Sequence, residues 1–250
     1  MAFIRSFLHA IWSVVTVIPW GIMMVLASIF VGGVGMYRLA QGWLWLCMQG
    51  LRVLCGVKWR VTGYENLPEG KTSPAILLVK LQSTLETFLM PILMPHPLAY
   101  VFKRELLFIP FFGWAMARLD MIHIDRRQRA QAFSKVVEQG KRLLAQGVWV
   151  IMFPEGTRIP RGQKGTYKHG GTRLAVETGA PVIPIAVASA KCWPRKAFVK
   201  TPGVVDVVIG KPIASQGRDP DDLLREVESW IEGEMHRLDP EAYPSAHSSN

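Results

Sequence analysis

The sequence predicts an α/β domain with a mostly parallel central sheet flanked by helices, carried behind an N-terminal hydrophobic helical membrane anchor. Three observations point there. Short, continuous apolar runs recur between residues 57 and 209, as expected of strands covered on both faces. Stretches with apolar residues three and four apart lie between them, which is the order of βαβ units. Residues 10–37 contain no Asp, Glu, Lys or Arg, a longer run than the ~20 apolar residues that cross a bilayer.

The elements follow in chain order. Residues 1–50 hold only Arg5 and Arg38 as full charges. A cleavable signal peptide fits poorly, because its apolar core is only about 7–15 residues long. A single span remains open. Pro19-Trp20-Gly21 and Gly32-Gly33-Val34-Gly35 interrupt the run, so two shorter helices that enter one leaflet and return are the favoured alternative. That hairpin keeps Arg5 and the basic remainder on one, cytoplasmic, side, with Trp12, Trp20, Trp43 and Trp45 as interfacial anchors. Residues 37–56 read as an amphipathic helix packing back on the domain. Strands are expected at Val57–Val61, Ala75–Val79, Ala99–Phe102, Met121–Ile124, Val148–Phe153, Val182–Val187 and Val204–Ile209. A helix over 128–146 places Ala132, Phe133, Val136, Val137, Leu143 and Leu144 largely on one stripe, with Gly147 as its stop. Another over 220–238 has Asp219 as N-cap and Pro220 at its first position. The division is thus an anchor over 1–56, an α/β domain over 57–238, and a loose polar tail over 239–250.

The net charge of +10 favours an acidic partner surface. Nucleic acid is not supported, since no RNA-binding signature, zinc-finger spacing or basic helix with heptads is present. A basic body beside an apolar anchor points to anionic membrane lipids. Cys47, Cys55 and Cys192 are odd in number and scattered, the pattern of free thiols in a reducing compartment rather than of a disulfide framework or metal site.

Three strand ends carry polar clusters. After Ala75–Val79 comes KLQSTLE (80–86), in which Ser83 and Glu86 have the S-x-x-E spacing of a capping box. Lys103 and Arg104 precede LLFIPFFGW (106–114), an apolar stretch whose Pro110 and Gly113 suit neither a regular helix nor a strand. It reads either as core or as a lipid-facing ledge for an acyl chain. FPEGTR (153–158) opens a Gly-rich loop with five cations, Arg158, Arg161, Lys164, Lys168 and Arg173, and no carboxylate after Glu155. That loop is either a solvated basic segment or a phosphate site built on guanidinium forks. The nucleotide pattern GxxxxGK[ST] is absent.

Taken together, KLQSTLET (80–87), KRELLFIPFFGW (103–114), FPEGTR (153–158) and VIPIA (182–186) resemble, in order and spacing, the glycerolipid acyltransferase family, and most closely its 1-acyl-glycerol-3-phosphate acyltransferases. The resemblance implies a glycerolipid acyltransferase-like fold at a bacterial-type inner (cytoplasmic) membrane, with the catalytic domain facing the cytoplasm. It implies transfer of an acyl chain from acyl-CoA or acyl-carrier protein to the sn-2 hydroxyl of lysophosphatidate, giving phosphatidate. It implies no bound cofactor and no metal; the thioester is a cosubstrate. By the same resemblance Lys103, Arg104 and Arg158 would hold the acceptor phosphate, Glu155 and Thr157 would complete the acceptor site, and Gly156 would allow close approach.

The first block departs from the family. There a His followed after four residues by Asp or Glu supplies the general base and its orienting carboxylate. Glu86 matches the carboxylate, but the His position is Leu81. Leucine cannot accept a proton, and the loss of a general base typically costs about 10²–10⁴-fold. No other His, among them His123 and His169, has the spacing to Glu86. Glu86 itself, as a capping carboxylate, is expected to be held charged and to be a weak base. Leu81 therefore marks either an inactivating or stabilising substitution, since burial of leucine contributes roughly 1.5–3 kcal/mol, or a non-catalytic lysophospholipid-binding relative. An acyltransferase for another lysolipid, such as a lyso-ornithine lipid, is the third reading.

Overall fold

The computed structural model describes residues 1–124 and 129–243; the side chains of 103–104, 123–124 and 129–132 lie outside the description, as do 125–128 and 244–250. A seven-stranded sheet runs through the domain. Its strands are β1 (Val57–Thr62), β2 (Ile76–Val79), β3 (Leu98–Lys103), β4 (Ile122–Ile124), β5 (Trp149–Met152), β6 (Val182–Val187) and β7 (Gly203–Ile209). They lie in the order β1-β7-β6-β2-β5-β3-β4. Only the β6–β7 pair is antiparallel. The carboxyl ends of β6, β2, β5, β3 and β4 therefore share one edge of the sheet, where α/β proteins commonly place their sites.

The central strands are apolar on both faces because both are covered. From β2, Leu77 and Val79 point into one core with Trp149, Ile151, Ile183 and Ile185. Ile76 and Leu78 point into the other with Val150, Val182 and Ala186. The first core is closed by Met48, Leu51, Leu85, Leu89 and Met90, from α2 (Gly33–Cys55) and α3 (Leu85–Leu93). The second is closed by α5 (Arg129–Ala145), α6 (Gly170–Thr178) and α7 (Pro220–Leu238). From α5, Val136, Leu143 and Leu144 enter that core and Val137 packs beside it, as their spacing requires. Asp219 caps α7 by accepting from the backbone N–H groups of Asp221 and Asp222.

Helix α3 contains Pro91, which has no N–H to give the carbonyl four residues earlier. That carbonyl, on Thr87, instead accepts from the hydroxyl of Tyr100 at 3.1 Å. A side chain from β3 thus replaces a missing rung of the helix that carries Glu86.

Two expectations are corrected. Pro19 does not split the first helix: α1 runs unbroken from Ala2 to Ala27, and the chain reverses only at residues 28–32. Proline in a long helix removes one rung, which neighbouring turns can bridge. The tail is also not loose over its described residues, 239–243. Asp239 and Tyr243 are buried, Asp239 by a two-pronged pair with Arg161 at 2.7 Å and Tyr243 by a bond to the Gln82 amide at 2.8 Å.

Helices α1 and α2 run antiparallel. Indole N–H groups stitch them together: Trp12 to the Leu46 carbonyl, Trp20 to that of Leu39, and Trp43 to the Thr16 hydroxyl. Three of the four tryptophans expected as interfacial anchors thus spend their N–H groups between helices, and only Trp45 is mostly exposed. Gly21 marks the crossing of α1 over the short helix α4 (Phe112–Met116), because a Cβ there would lie 2.9 Å from Cβ of Phe111. The outer face of α1 leaves Phe3, Ile4, Phe7, Val14, Val15 and Leu26 exposed. It is the one described helix long and apolar enough to cross a membrane.

Candidate active site

The site is assembled at the shared strand edge from the segments following β2, β5 and β6. Beyond Val79, Lys80 still pairs with β6, its N–H donating to the Ile185 carbonyl at 2.9 Å. The chain then turns at residues 81–84 into α3. That turn is closed by Glu86, whose carboxylate accepts from the backbone N–H of Gln82 at 2.9 Å and of Ser83 at 3.1 and 3.0 Å. Ser83 Oγ accepts in return from the Leu85 N–H at 3.2 Å, so the S-x-x-E pattern acts at the helix start.

A third donor reaches Glu86 from far along the chain. Ser189, two residues past β6, gives its hydroxyl proton to Glu86 Oε1 at 2.5 Å. Both side chains are fully buried. Burial pushes the Glu86 carboxyl up from 4.5 to about 7, while the Ser189 hydroxyl and the backbone amides pull the other way by less. The expectation of a strongly charged, weakly basic cap is thereby reversed: desolvation outweighs the hydrogen bonds. Glu86 sits where a proton is exchanged near neutral pH.

The FPEGTR turn is laced to Leu81 from both sides. Leu81 N–H donates to Glu155 Oε2 at 3.1 Å, and its carbonyl accepts from Ile159 N–H at 2.8 Å. Glu86 bonds to the residue after Leu81 and Arg158 precedes the residue bonded to Leu81, so both lie on the same edge. Leu81 itself is 8% exposed. Glu155, expected at the acceptor, is 2% exposed and turned inward: Lys80 Nζ donates to its Oε1 at 2.7 Å. Lys80 also donates to Glu232 Oε1 at 2.7 Å and reaches the Gln163 carbonyl at 3.5 Å. Tyr167 completes the group by donating its hydroxyl to Glu232 Oε1 at 2.7 Å. Burial raises the Glu155 carboxyl, against the pull of the Lys80 ammonium.

Gly156 adopts a left-handed φ of +64°, and a Cβ there would stand 2.9 Å from Lys168 Nζ. Lys168 is also tied to the turn through its backbone N–H, which donates to the Pro154 carbonyl at 2.9 Å. Thr157 is exposed and Arg158 half-buried.

Most cations of the basic loop are already partnered. Arg161 is held by Asp239, Lys164 by Glu228 on α7, and Arg173 lies 4.1 Å over the ring of Phe133. Among the described residues Arg158 and Lys168 make no ion pair, which leaves them as the cations offered at the FPEGTR turn. Lys103 ends β3 and Arg104 begins the turn that follows, so their backbone reaches the same edge; their side chains lie outside the described residues. Beyond them Leu106, Phe108, Ile109 and Trp114 are exposed, an apolar ledge beside α1.

Several site residues escaped sequence reasoning. Ser189, Glu232, Tyr167 and Tyr243 lie in no motif. The available signal was topological: Ser189 follows the carboxyl end of a strand flanking β2. The other histidines are placed elsewhere. His169 pairs with Asp221 at 2.8 Å, His96 stacks on Trp149, and His236 bonds to the Tyr243 carbonyl. His123 has its side chain outside the described residues. Among the described residues no cluster of His, Cys, Asp and Glu could hold a metal ion.

The comparisons with known proteins agree with this architecture. The acyltransferase family model matches residues 58–188. The chain is 43% identical over 208 residues to the 1-acyl-sn-glycerol-3-phosphate acyltransferase of Pseudomonas aeruginosa, covering 82% of this chain and 79% of that protein. It is 30% identical over 236 residues to the enzyme of the same name from Saccharomyces cerevisiae, covering 89% of this chain and 75% of that protein. In fold it is similar to the crystal structure of the 1-acyl-sn-glycerophosphate (LPA) acyltransferase of Thermotoga maritima, with a TM-score of 0.73 at 24% identity, over 95% of this chain and 98% of that one. The protein with KLQSTLE closing its central strand and FPEGTR laced against it belongs to the acyltransferase family.

Proposed function

We infer that this chain has the architecture for making phosphatidate, by moving an acyl group from acyl-CoA or acyl-carrier protein to the sn-2 hydroxyl of 1-acyl-glycerol-3-phosphate, and that Leu81 impairs it. The supporting observation is the double lacing of Leu81 to the FPEGTR turn, at 3.1 and 2.8 Å, with Glu86 closing the adjoining turn. An imidazole at position 81 would stand between a buried carboxylate and the cations that hold the acceptor.

The residues divide the work as follows. Arg158, with Lys168 at the same turn and Lys103 and Arg104 at the carboxyl end of β3, holds the phosphate as a charge-assisted clamp. Thr157 offers its hydroxyl to the acceptor. A base at position 81 removes the proton as the acceptor oxygen attacks the thioester carbonyl. The carbon–sulfur bond then breaks, and the imidazolium returns that proton to the leaving thiolate. Glu86, titrating near neutrality, pairs with the imidazolium while it lasts. With Leu81 the proton has no acceptor at that point, and the remaining residues bind without the main rate gain.

The exposed face of α1 seats the protein on an anionic bilayer. Because α1 returns antiparallel along α2, and α2 packs on α3 and the domain core, the hairpin arrangement suits this fold better than a single span. The domain then faces the cytoplasm at an inner membrane. The second reading is a lysophospholipid-binding protein without turnover, and Leu81 is the observation favouring it. Assay of the chain as written and of Leu81→His across a panel of lysolipid acceptors separates these readings, and the panel also exposes a preference for another lysolipid.

A further inference from the structure

Lys80 lies immediately before the position of the base and is fully buried, an expensive place for an ammonium group. All three of its N–H bonds are used, and each goes to a different segment: Glu155 in the FPEGTR turn, Glu232 on α7, and the Gln163 carbonyl in the basic loop. Glu155 divides its two oxygens, one on the Lys80 ammonium and the other on the Leu81 amide. Stability alone does not account for such a group, because well-packed apolar residues commonly replace a buried ionic triad without loss. Its distinctive product is geometric. It fixes the backbone of residue 81 relative to the FPEGTR turn, the basic loop and α7 at one point.

We propose that Lys80 and Glu155 are positioning residues: the ammonium orients the Glu155 carboxylate, which in turn locks the backbone of residue 81 at the angle from which its side chain meets the reacting hydroxyl. This deepens the acyltransferase reading and rests on it for its catalytic meaning. Glu155 then acts on the reaction through residue 81 and does not contact the acceptor. Glu232 and Tyr167 support it by holding Lys80 from the α7 side.

The test uses the full chain in detergent, labelled with ¹⁵N-leucine, and follows amide hydrogen exchange at Leu81. Glutamine has one acceptor oxygen for the two donors that Glu155 now serves, so Glu155→Gln leaves the Leu81 amide without an acceptor. Its exchange should accelerate on the order of tenfold or more, while the amides of Leu77 and Leu174 keep their rates. Glu232→Gln keeps an acceptor for both Lys80 and Tyr167, and should leave Leu81 exchange nearly unchanged. Unchanged exchange at Leu81 in Glu155→Gln, or acceleration there in step with Leu77 and Leu174, would overturn the proposal. In the Leu81→His chain, adding Glu155→Gln should lower kcat and leave KM for lysophosphatidate nearly as it was. A raised KM at constant kcat would make Glu155 an acceptor contact and refute the positioning role. If Leu81→His shows no turnover at all, the acyltransferase reading fails, and the exchange measurement alone decides whether Glu155 holds residue 81.

Discussion

The buried carboxylate of Glu86 makes stability depend on pH in a direction opposite to that of an ordinary ion-paired acid. In the unfolded chain it titrates near 4.5; in the fold, burial holds its proton until about pH 7. Below the lower value both states are protonated and the group contributes no pH dependence. As pH rises between the two, the unfolded state releases its proton first, so stability falls until both states are charged above about pH 7. The difference corresponds to a loss of about 3 kcal/mol across that window. For a chain of this size that is roughly 6–12 °C in Tm. The perturbation is Glu86→Gln, which cannot ionise but offers one acceptor where the Gln82 and Ser83 amides and the Ser189 hydroxyl converge. The variant should therefore be less stable than the parent at pH 5, and the gap should narrow by about 2.5 kcal/mol on going to pH 8, because the unfolded chain is already largely ionised at pH 5. Thermal unfolding of both proteins in the same detergent at pH 5, 6, 7 and 8 reads this difference, and titrations common to both chains cancel. A gap that stays constant or widens with pH would show that Glu86 is charged throughout, and the argument from burial would be wrong.

Three further outcomes are expected. Arg158→Ala should weaken lysophosphatidate binding about tenfold or more and leave acyl-CoA binding nearly unaffected; equal losses in titrations with both would refute a phosphate role. Tyr100→Phe strands the Thr87 carbonyl that Pro91 leaves unpaired, and should cost about 1–2 kcal/mol in denaturant unfolding. That cost should shrink when Pro91→Ala restores the missing N–H, and no coupling in the double variant would contradict the replacement of a helix rung. In sealed inverted inner-membrane vesicles, a protease added outside should remove an N-terminal tag on a hairpin; a protected tag would require a single span.

The sheet was legible because its strands are extreme in composition. Ile76–Val79 and Val182–Val187 are buried along their whole length, so an apolar run bounded by polar residues could be little else. The helix α7 announced itself through Asp219 and its period. Pro19 misled because one lost rung does not break a helix of 26 residues stapled by Trp12 and Trp20 to its neighbour. In the site, the local half was readable: Glu86 caps the turn that its spacing with Ser83 predicts. The long-range half was not. The partners of Lys80 lie 75 and 152 residues away, and that of Glu86 lies 103 residues away. The family resemblance implied an acceptor-site role for Glu155, and nothing in its local sequence indicated that its carboxylate would bond to Lys80 and to the Leu81 amide. The basic loop likewise read as a set of unpaired cations, whereas Asp239 pairs with Arg161 and Glu228 on α7 pairs with Lys164. The direction of the Glu86 titration was missed for the same reason, since a cap pattern reports hydrogen bonds and not the depth at which they are buried.

The most direct measurement is initial-rate acyl transfer from a long-chain acyl-CoA to lysophosphatidate, by the chain as written and by Leu81→His, at equal loading in the same membranes. The account predicts that the histidine variant is faster by about 10²–10⁴-fold, with the acceptor bound equally well by both. Equal rates in the two proteins, or a parent chain that turns over faster than the variant, would contradict it.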